Sequence, residues 1–114
     1  MDDDSNIRNA MRHCLEAEGY HVEESANGAD GLERIHHDVP DVVLLDLAMP
    51  VLDGMTVLAE LRTMWPRQGV RVVVITAHGS PKSAIEAMRL GASGFLEKPF
   101  SPDELRRSVA SVLT

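Results

Sequence analysis

The sequence predicts an α/β protein, a parallel sheet covered by helices on both faces, and three observations predict it. Two short runs, "DVVLLD" (residues 41–46) and "VRVVVIT" (residues 70–76), are rich in β-favouring apolar residues and end abruptly on a polar one. A strand buried on both faces reads that way. Amphipathic helical stretches lie before, between and after them. Helix and strand alternate from one end of the chain to the other, the order of a parallel sheet built from crossover helices.

The first helix starts after Ser5, a suitable N-cap, and turns Ile7, Ala10, Met11, Cys14 and Leu15 to one face. "GYHVEE" (residues 19–24) alternates like a short strand. Residues 27–37 read as a modest helix with Leu32 and Ile35 inward, and residues 55–64 as another. In residues 80–92 Ser80 caps a helix, Pro81 takes its first position and Gly91 stops it. "SGFLEK" (residues 93–98) is a last strand before Pro99. The clearest helix spans residues 101–114, where Ser101 and Glu104 form a capping box and Pro102 opens the first turn. The expectation is therefore five helices and at least four strands.

With 114 residues, 44% of them apolar, residues 1–114 suit a single domain with a real core. A net charge of −7 argues against non-specific binding to nucleic acid or anionic membranes. Cys14 reads as a small buried hydrophobe, and one cysteine allows no internal disulfide, which fits a reducing cytoplasmic setting. The sequence contains neither a membrane-spanning apolar run nor a signal peptide. Met11, Met49, Met55, Met64 and Met88 read as fillers of core or loop, Trp65 as helix-end packing, and His36, His37 and His78 as solvated.

Parallel sheets place ligands beyond the carboxyl ends of their strands. Asp46, Thr76 and Lys98 stand at those ends, an anion, a hydroxyl and a cation converging on one edge. Asp2, Asp3 and Asp4 precede the first helix, so carboxylates gather opposite a lysine. Clustered carboxylates suit Mg²⁺. A carboxylate beside Mg²⁺, lysine and threonine is equipped to accept a phosphoryl group as the nucleophile.

The stretches "DDDSNIR", "PDVVLLDLAMPVLDG", "VVVITAHG", "GASGFLEKPF" and "SPDEL" occur in this order, and with them the chain resembles the receiver domains of two-component response regulators from Asp2 onward. The resemblance implies a flavodoxin-like doubly wound sheet with strand order 2-1-3-4-5. It implies Asp46 as phospho-acceptor, with Thr76 the switch hydroxyl, Lys98 the phosphate-pairing lysine and Phe95 the switching aromatic. Mg²⁺ would be held by Asp3 directly, Asp46, the Ala48 backbone carbonyl and, through a water, Asp2; Asp4 reads as a solvated residue at the helix start. The Lys98–Pro99 bond would be cis. The partners implied are a histidine kinase or phosphotransfer protein and an output domain or target, with no direct nucleic-acid or membrane contact. Such a domain is no enzyme beyond self-phosphorylation from a phosphodonor and slow self-dephosphorylation.

One departure stands out. Receivers carry an apolar strand before the acidic pair, and here Met1 alone precedes it. A central strand of four or five buried apolar residues is worth on the order of 10 kcal/mol, comparable to the whole stability of a domain. The expectation is a receiver truncated at its first strand, self-associating through the vacant edge beside Val42–Leu45 or carrying a weakened acidic pocket, with the Met1 ammonium adding a cation there. An unphosphorylated interaction module of the same fold is one alternative. An Asp-nucleophile Mg²⁺ phosphatase is another, set against by Ala48 standing where a second acid would be needed.

Overall fold

The structure, a computed structural model, describes residues 1–2, 4–47, 54–64, 70–76 and 81–113. The elements are α1 (Ser5–Ala17), α2 (Gly28–His37), β1 (Val42–Asp46), α3 (Gly54–Met64), β2 (Arg71–Thr76), α4 (Pro81–Arg89), β3 (Gly94–Glu97) and α5 (Pro102–Leu113). The three strands form one parallel sheet in the order β1-β2-β3, with Leu44 opposite Val73 and Val74 opposite Phe95.

Strand periodicity divides the core. Val72 and Val74 of β2, with Val43 and Leu45 of β1, pack against α2 and α3 through Leu32, Ile35, Val57, Leu58 and Leu61. Val73 and Ile75 turn to the other face, where Met11 and Leu15 of α1 meet Leu105 and Val109 of α5. Both faces of the sheet are thus covered, as continuous apolar strands require. Ala87 of α4 joins the first of these cores.

Local signals set most boundaries. Glu104 N–H donates to Ser101 Oγ (3.1 Å) and Ser101 N–H to Glu104 Oε1 (3.2 Å), the capping box expected for α5. Gly91 stops α4 at φ 100°, with its N–H on the Met88 carbonyl and the Ala92 N–H on the Ala87 carbonyl. For α1 the expectation is corrected. Asp4, not Ser5, is the N-cap, and its carboxylate accepts from Asn6 and Ile7 N–H. An anion at that end also meets the helix dipole. Cys14 is half-buried, not buried, with its thiol 3.5 Å from an Arg106 guanidinium nitrogen. Met88 is exposed, while Met11 is core. Ser80, Met49, Trp65 and His78 lie outside the described residues.

The strand expected at residues 19–24 does not form. Its side-chain alternation survives, Tyr20 and Val22 half-buried against the α1/α5 core while His21 and Glu23 are exposed. A strand also needs a neighbour to complete its backbone ladder, and among the described residues the sheet is β1-β2-β3, with no strand paired to residues 19–24. Met1 N–H donates to the Leu44 carbonyl (2.7 Å) and Asp46 N–H to the Met1 carbonyl (3.0 Å), a parallel pairing of Met1 with Leu45. Asp2 N–H donates to the Ser25 carbonyl (3.2 Å) on the far side. Met1 and Asp2 are thus tied to β1 on one side and to Ser25 on the other.

Gly54 opens α3 with its N–H on the Leu47 carbonyl (3.2 Å). A Cβ there would collide with Leu47 Cα and stand 2.7 Å from the Asp46 carbonyl oxygen, both backbone atoms. Gly54→Ala is expected to lose about 2 kcal/mol or more, as strained backbone substitutions do. A urea unfolding curve checks this, and an unshifted midpoint contradicts the close contact.

Candidate functional site

Asp46 is the last residue of β1 and Thr76 the last of β2; both are buried. Leu47 N–H donates to the Ile75 carbonyl (3.1 Å) and Lys98 N–H to the Thr76 carbonyl (2.8 Å), so each strand end is tied to the next. The Lys98–Pro99 peptide is cis, as the resemblance implies.

Lys98 makes the site a unit. Its Nζ lies 3.0 Å from Asp46 Oδ2 and 3.4 Å from Asp2 Oδ2. Asp2 is 0% exposed, Asp46 4%, so an ammonium bridges two carboxylates withdrawn from water. Asp2 Oδ1 accepts from Asp4 N–H (2.9 Å), whereas Oδ2 is buried without a hydrogen-bond donor. Desolvation holds the Asp2 carboxyl above its ordinary pKa, and the Asp46 charge adds to that, against the pull of the Asp4 N–H and Lys98. Burial works against the Lys98 charge, yet the hydrogen bond and field of Asp46, with the field of Asp2, outweigh it and hold the ammonium above its ordinary value.

Burial also pulls the Met1 amino group down to about 6. This corrects the expectation of a full extra cation beside the acidic pair, because at neutral pH the desolvated amine gives up its proton readily. Lys98, the cation at the strand end, is half-buried and paired.

Of the expected site residues, Asp2, Asp46 and Lys98 come together, with Thr76 on the neighbouring strand end. Asp3 and Ala48 lie outside the described residues. Thr76 and Phe95 line one groove of about 590 Å³ with Ala84, Ile85 and Met88 of α4. Arg8 was not singled out by the sequence reading, though it belongs to the "DDDSNIR" stretch. Its guanidinium donates to the Asp2 carbonyl (2.6 Å) and pairs with Glu24 (3.4 Å), fastening α1 and residues 24–25 around the acidic end.

The donor set fits a hard divalent cation. Two buried carboxylates share one ammonium, and one carboxylate oxygen lacks a hydrogen-bond donor, the acceptor-rich imbalance such a cation relieves.

A family model for the response regulator receiver domain matches residues 1–110. The chain belongs to this family. Receivers are the signalling domains of two-component response regulators and are phosphorylated on an aspartate. The chain is 39% identical over 113 residues to the alginate biosynthesis transcriptional regulatory protein AlgB of Pseudomonas aeruginosa, covering 99% of itself and 25% of that protein. It is 34% identical over 113 residues to the response regulator MprA of Mycobacterium leprae, again covering 99% of itself, and 49% of that protein. Among solved structures, the receiver domain of NtrX from Brucella abortus superposes with a TM-score of 0.92 at 32% identity, covering 98% of this chain and 93% of that one. The chain thus spans a quarter to a half of these curated relatives. The flavodoxin-like receiver fold expected from the sequence is the fold found.

Without metal, Asp2→Asn is expected to raise the thermal midpoint, because a desolvated carboxylate is removed at little cost in packing. Lys98→Met is expected to lower stability by about 1–3 kcal/mol, since it strands two buried carboxylates. Thermal melts in chelator check both, and a stable Lys98→Met protein contradicts the bridging role.

Proposed function

We propose that this receiver accepts a phosphoryl group on Asp46 from the phosphohistidine of a histidine kinase or phosphotransfer protein. The observation that supports it is the Lys98 ammonium 3.0 Å from the buried Asp46 carboxylate, with Asp2 beside them. An Asp46 oxygen attacks phosphorus, the P–N bond breaks, and its electron pair returns to the imidazole nitrogen, which takes up a proton. Lys98 then exchanges its carboxylate partner for an oxygen of the transferred group, and the Thr76 hydroxyl donates to another. Asp2 and Asp46, with Asp3 and the Ala48 carbonyl, would hold Mg²⁺. When bound, the ion neutralises charge on the transferred oxygens.

The domain is a signalling module whose own chemistry is self-phosphorylation from a small phosphodonor and slow self-dephosphorylation. Among the described residues no helix is long and apolar enough to cross a membrane, and the setting proposed is cytoplasmic, where kinase and phosphodonor meet it. The relatives named as transcriptional regulators support an output in transcription through a partner domain rather than direct contact of this acidic chain with nucleic acid.

Incubation with acetyl phosphate and Mg²⁺ is expected to add one phosphoryl mass, lost in Asp46→Asn. An undiminished adduct in that variant moves the acceptor elsewhere.

The signal leaves through α4, β3 and α5. Thr76 and exposed Phe95 share the groove beside α4. A Thr76 hydroxyl drawn toward the phosphoryl group leaves space that Phe95 turns to fill. Amide exchange with and without beryllofluoride is expected to differ mainly in α4, β3 and α5. Changes confined to α2 contradict this route.

A further inference from the structure

We infer that Arg8 is a positioning residue of the acidic pocket: by holding the Asp2 backbone it sets the Asp2 carboxylate for a divalent cation, and with it the readiness of Asp46 to take a phosphoryl group. This role rests on the reading of Asp46 as acceptor and Asp2 as a metal-holding residue. Arg8 lies outside the carboxylate cluster, yet it closes a ring of bonds on it. Asp4 N–H donates to Asp2 Oδ1 (2.9 Å). Arg8 N–H donates to the Asp4 carbonyl (3.0 Å) where α1 begins. The Arg8 guanidinium then returns to the Asp2 carbonyl (2.6 Å). The carboxylate and the carbonyl of one residue are thus held by the same helix start.

A second ring runs through residues 24–25. Asp2 N–H donates to the Ser25 carbonyl (3.2 Å). Beside it, Glu24 Oε1 accepts from Arg8 Nε (3.4 Å), while Glu24 Oε2 accepts from Arg12 (2.6 Å). Arg8 therefore uses Nη1 for Asp2 and Nε for Glu24, two donors at a fixed angle in one plane, a geometry that a lysine lacks. The Asp2 carboxylate is not aimed by the groups it faces. Its Oδ2 lies 3.4 Å from Lys98 Nζ and has no hydrogen-bond donor. Its direction is set by the bonds made elsewhere on the residue, and Arg8 makes one of them.

Charge and position predict opposite signs for the loss of Arg8. A cation beside the pocket repels Mg²⁺, so on charge alone its removal tightens metal binding. A group that orients a metal ligand acts the other way, and its loss typically weakens binding by about 10–100-fold. The charge of Arg8 is answered by Glu24, which leaves the bond to the Asp2 carbonyl as what Arg8 brings to the site.

The test follows amide NMR spectra of the chain and of Arg8→Met, Arg8→Lys and Arg12→Gln during titration with MgCl₂. Arg8→Met is expected to bind Mg²⁺ about tenfold more weakly or worse. Its half-saturating Mg²⁺ for phosphorylation by acetyl phosphate is expected to rise by the same factor, with the rate at saturating Mg²⁺ within about threefold of the unaltered chain. Arg8→Lys keeps the charge and loses the fork, so the weakening expected of it, about threefold, is positional and decides the matter if Arg8→Met does not fold. Arg12→Gln removes a cation from the same network without touching Asp2, and its Mg²⁺ affinity is expected to stay within about twofold. In chelator, hydrogen exchange of the Asp4 amide, held by Asp2 Oδ1, is expected to quicken in Arg8→Met while the amides of β2 keep their protection. Unchanged or tighter Mg²⁺ binding in Arg8→Met, an equal loss in Arg12→Gln, or unchanged Asp4 exchange would overturn the assignment. A chain that binds no Mg²⁺ overturns the reading of the site instead, and the Asp4 exchange, measured without metal, still decides whether Arg8 holds Asp2.

Discussion

Lys98 sits between Asp2 and Asp46, and the rest of the carboxyl edge depends on that one ammonium. Two carboxylates that are almost wholly withdrawn from water repel each other and lose hydration. Lys98 offsets both at 3.0 and 3.4 Å. It can do so because its own N–H is anchored on the Thr76 carbonyl, so the lysine backbone belongs to the sheet and the side chain reaches across two strand ends. The arrangement is balanced short of satisfaction. One Asp2 oxygen keeps no hydrogen-bond donor, an acceptor-rich imbalance of the kind a hard cation relieves.

The same constraint reaches the fold through Met1 and Asp2. The backbone of these two residues hydrogen-bonds to β1 on one side and to Ser25 on the other. Arg8 clamps the Asp2 carbonyl from α1. Site and sheet edge are therefore one structure: whatever displaces Met1 and Asp2 displaces an acidic side chain from the lysine. Burial of the Met1 amine follows from this packing, and with it the lowering of that amine to about 6, an effect of solvent exclusion that opposes extra positive charge in the pocket.

On the opposite side of β2 the constraints are looser. Phe95, Ile85 and Met88 stay exposed beside a groove that Thr76 also lines. Apolar side chains kept at a surface next to a buried hydroxyl give the molecule somewhere for a change at the site to be felt, since rearranging them costs less than rearranging the core between α2, α3 and the sheet.

Local chemistry made much of this legible. The apolar runs ending in Asp46 and Thr76, the Ser101–Glu104 capping box and the Gly91 stop are decided by neighbours within a few residues, and they stand in the structure as the sequence predicts. The convergence of Asp46, Thr76 and Lys98 also followed, because parallel strands bring their carboxyl ends to one edge. Other features are settled by contacts far apart in the chain. Residues 19–24 have the alternation of a strand, but a strand forms only against a partner, and the described sheet of β1, β2 and β3 pairs none with them. Asp4 rather than Ser5 caps α1, its carboxylate accepting from Asn6 and Ile7 N–H. Which carboxylate faces Lys98, how deeply the lysine is buried, and how far the Met1 amine is desolvated depend on what the fold packs around Met1 and Asp2. The sequence by itself determined the elements and the residues that end them; only the tertiary structure decided which had partners, because hydrogen-bond ladders and desolvation are properties of neighbours brought together by the fold.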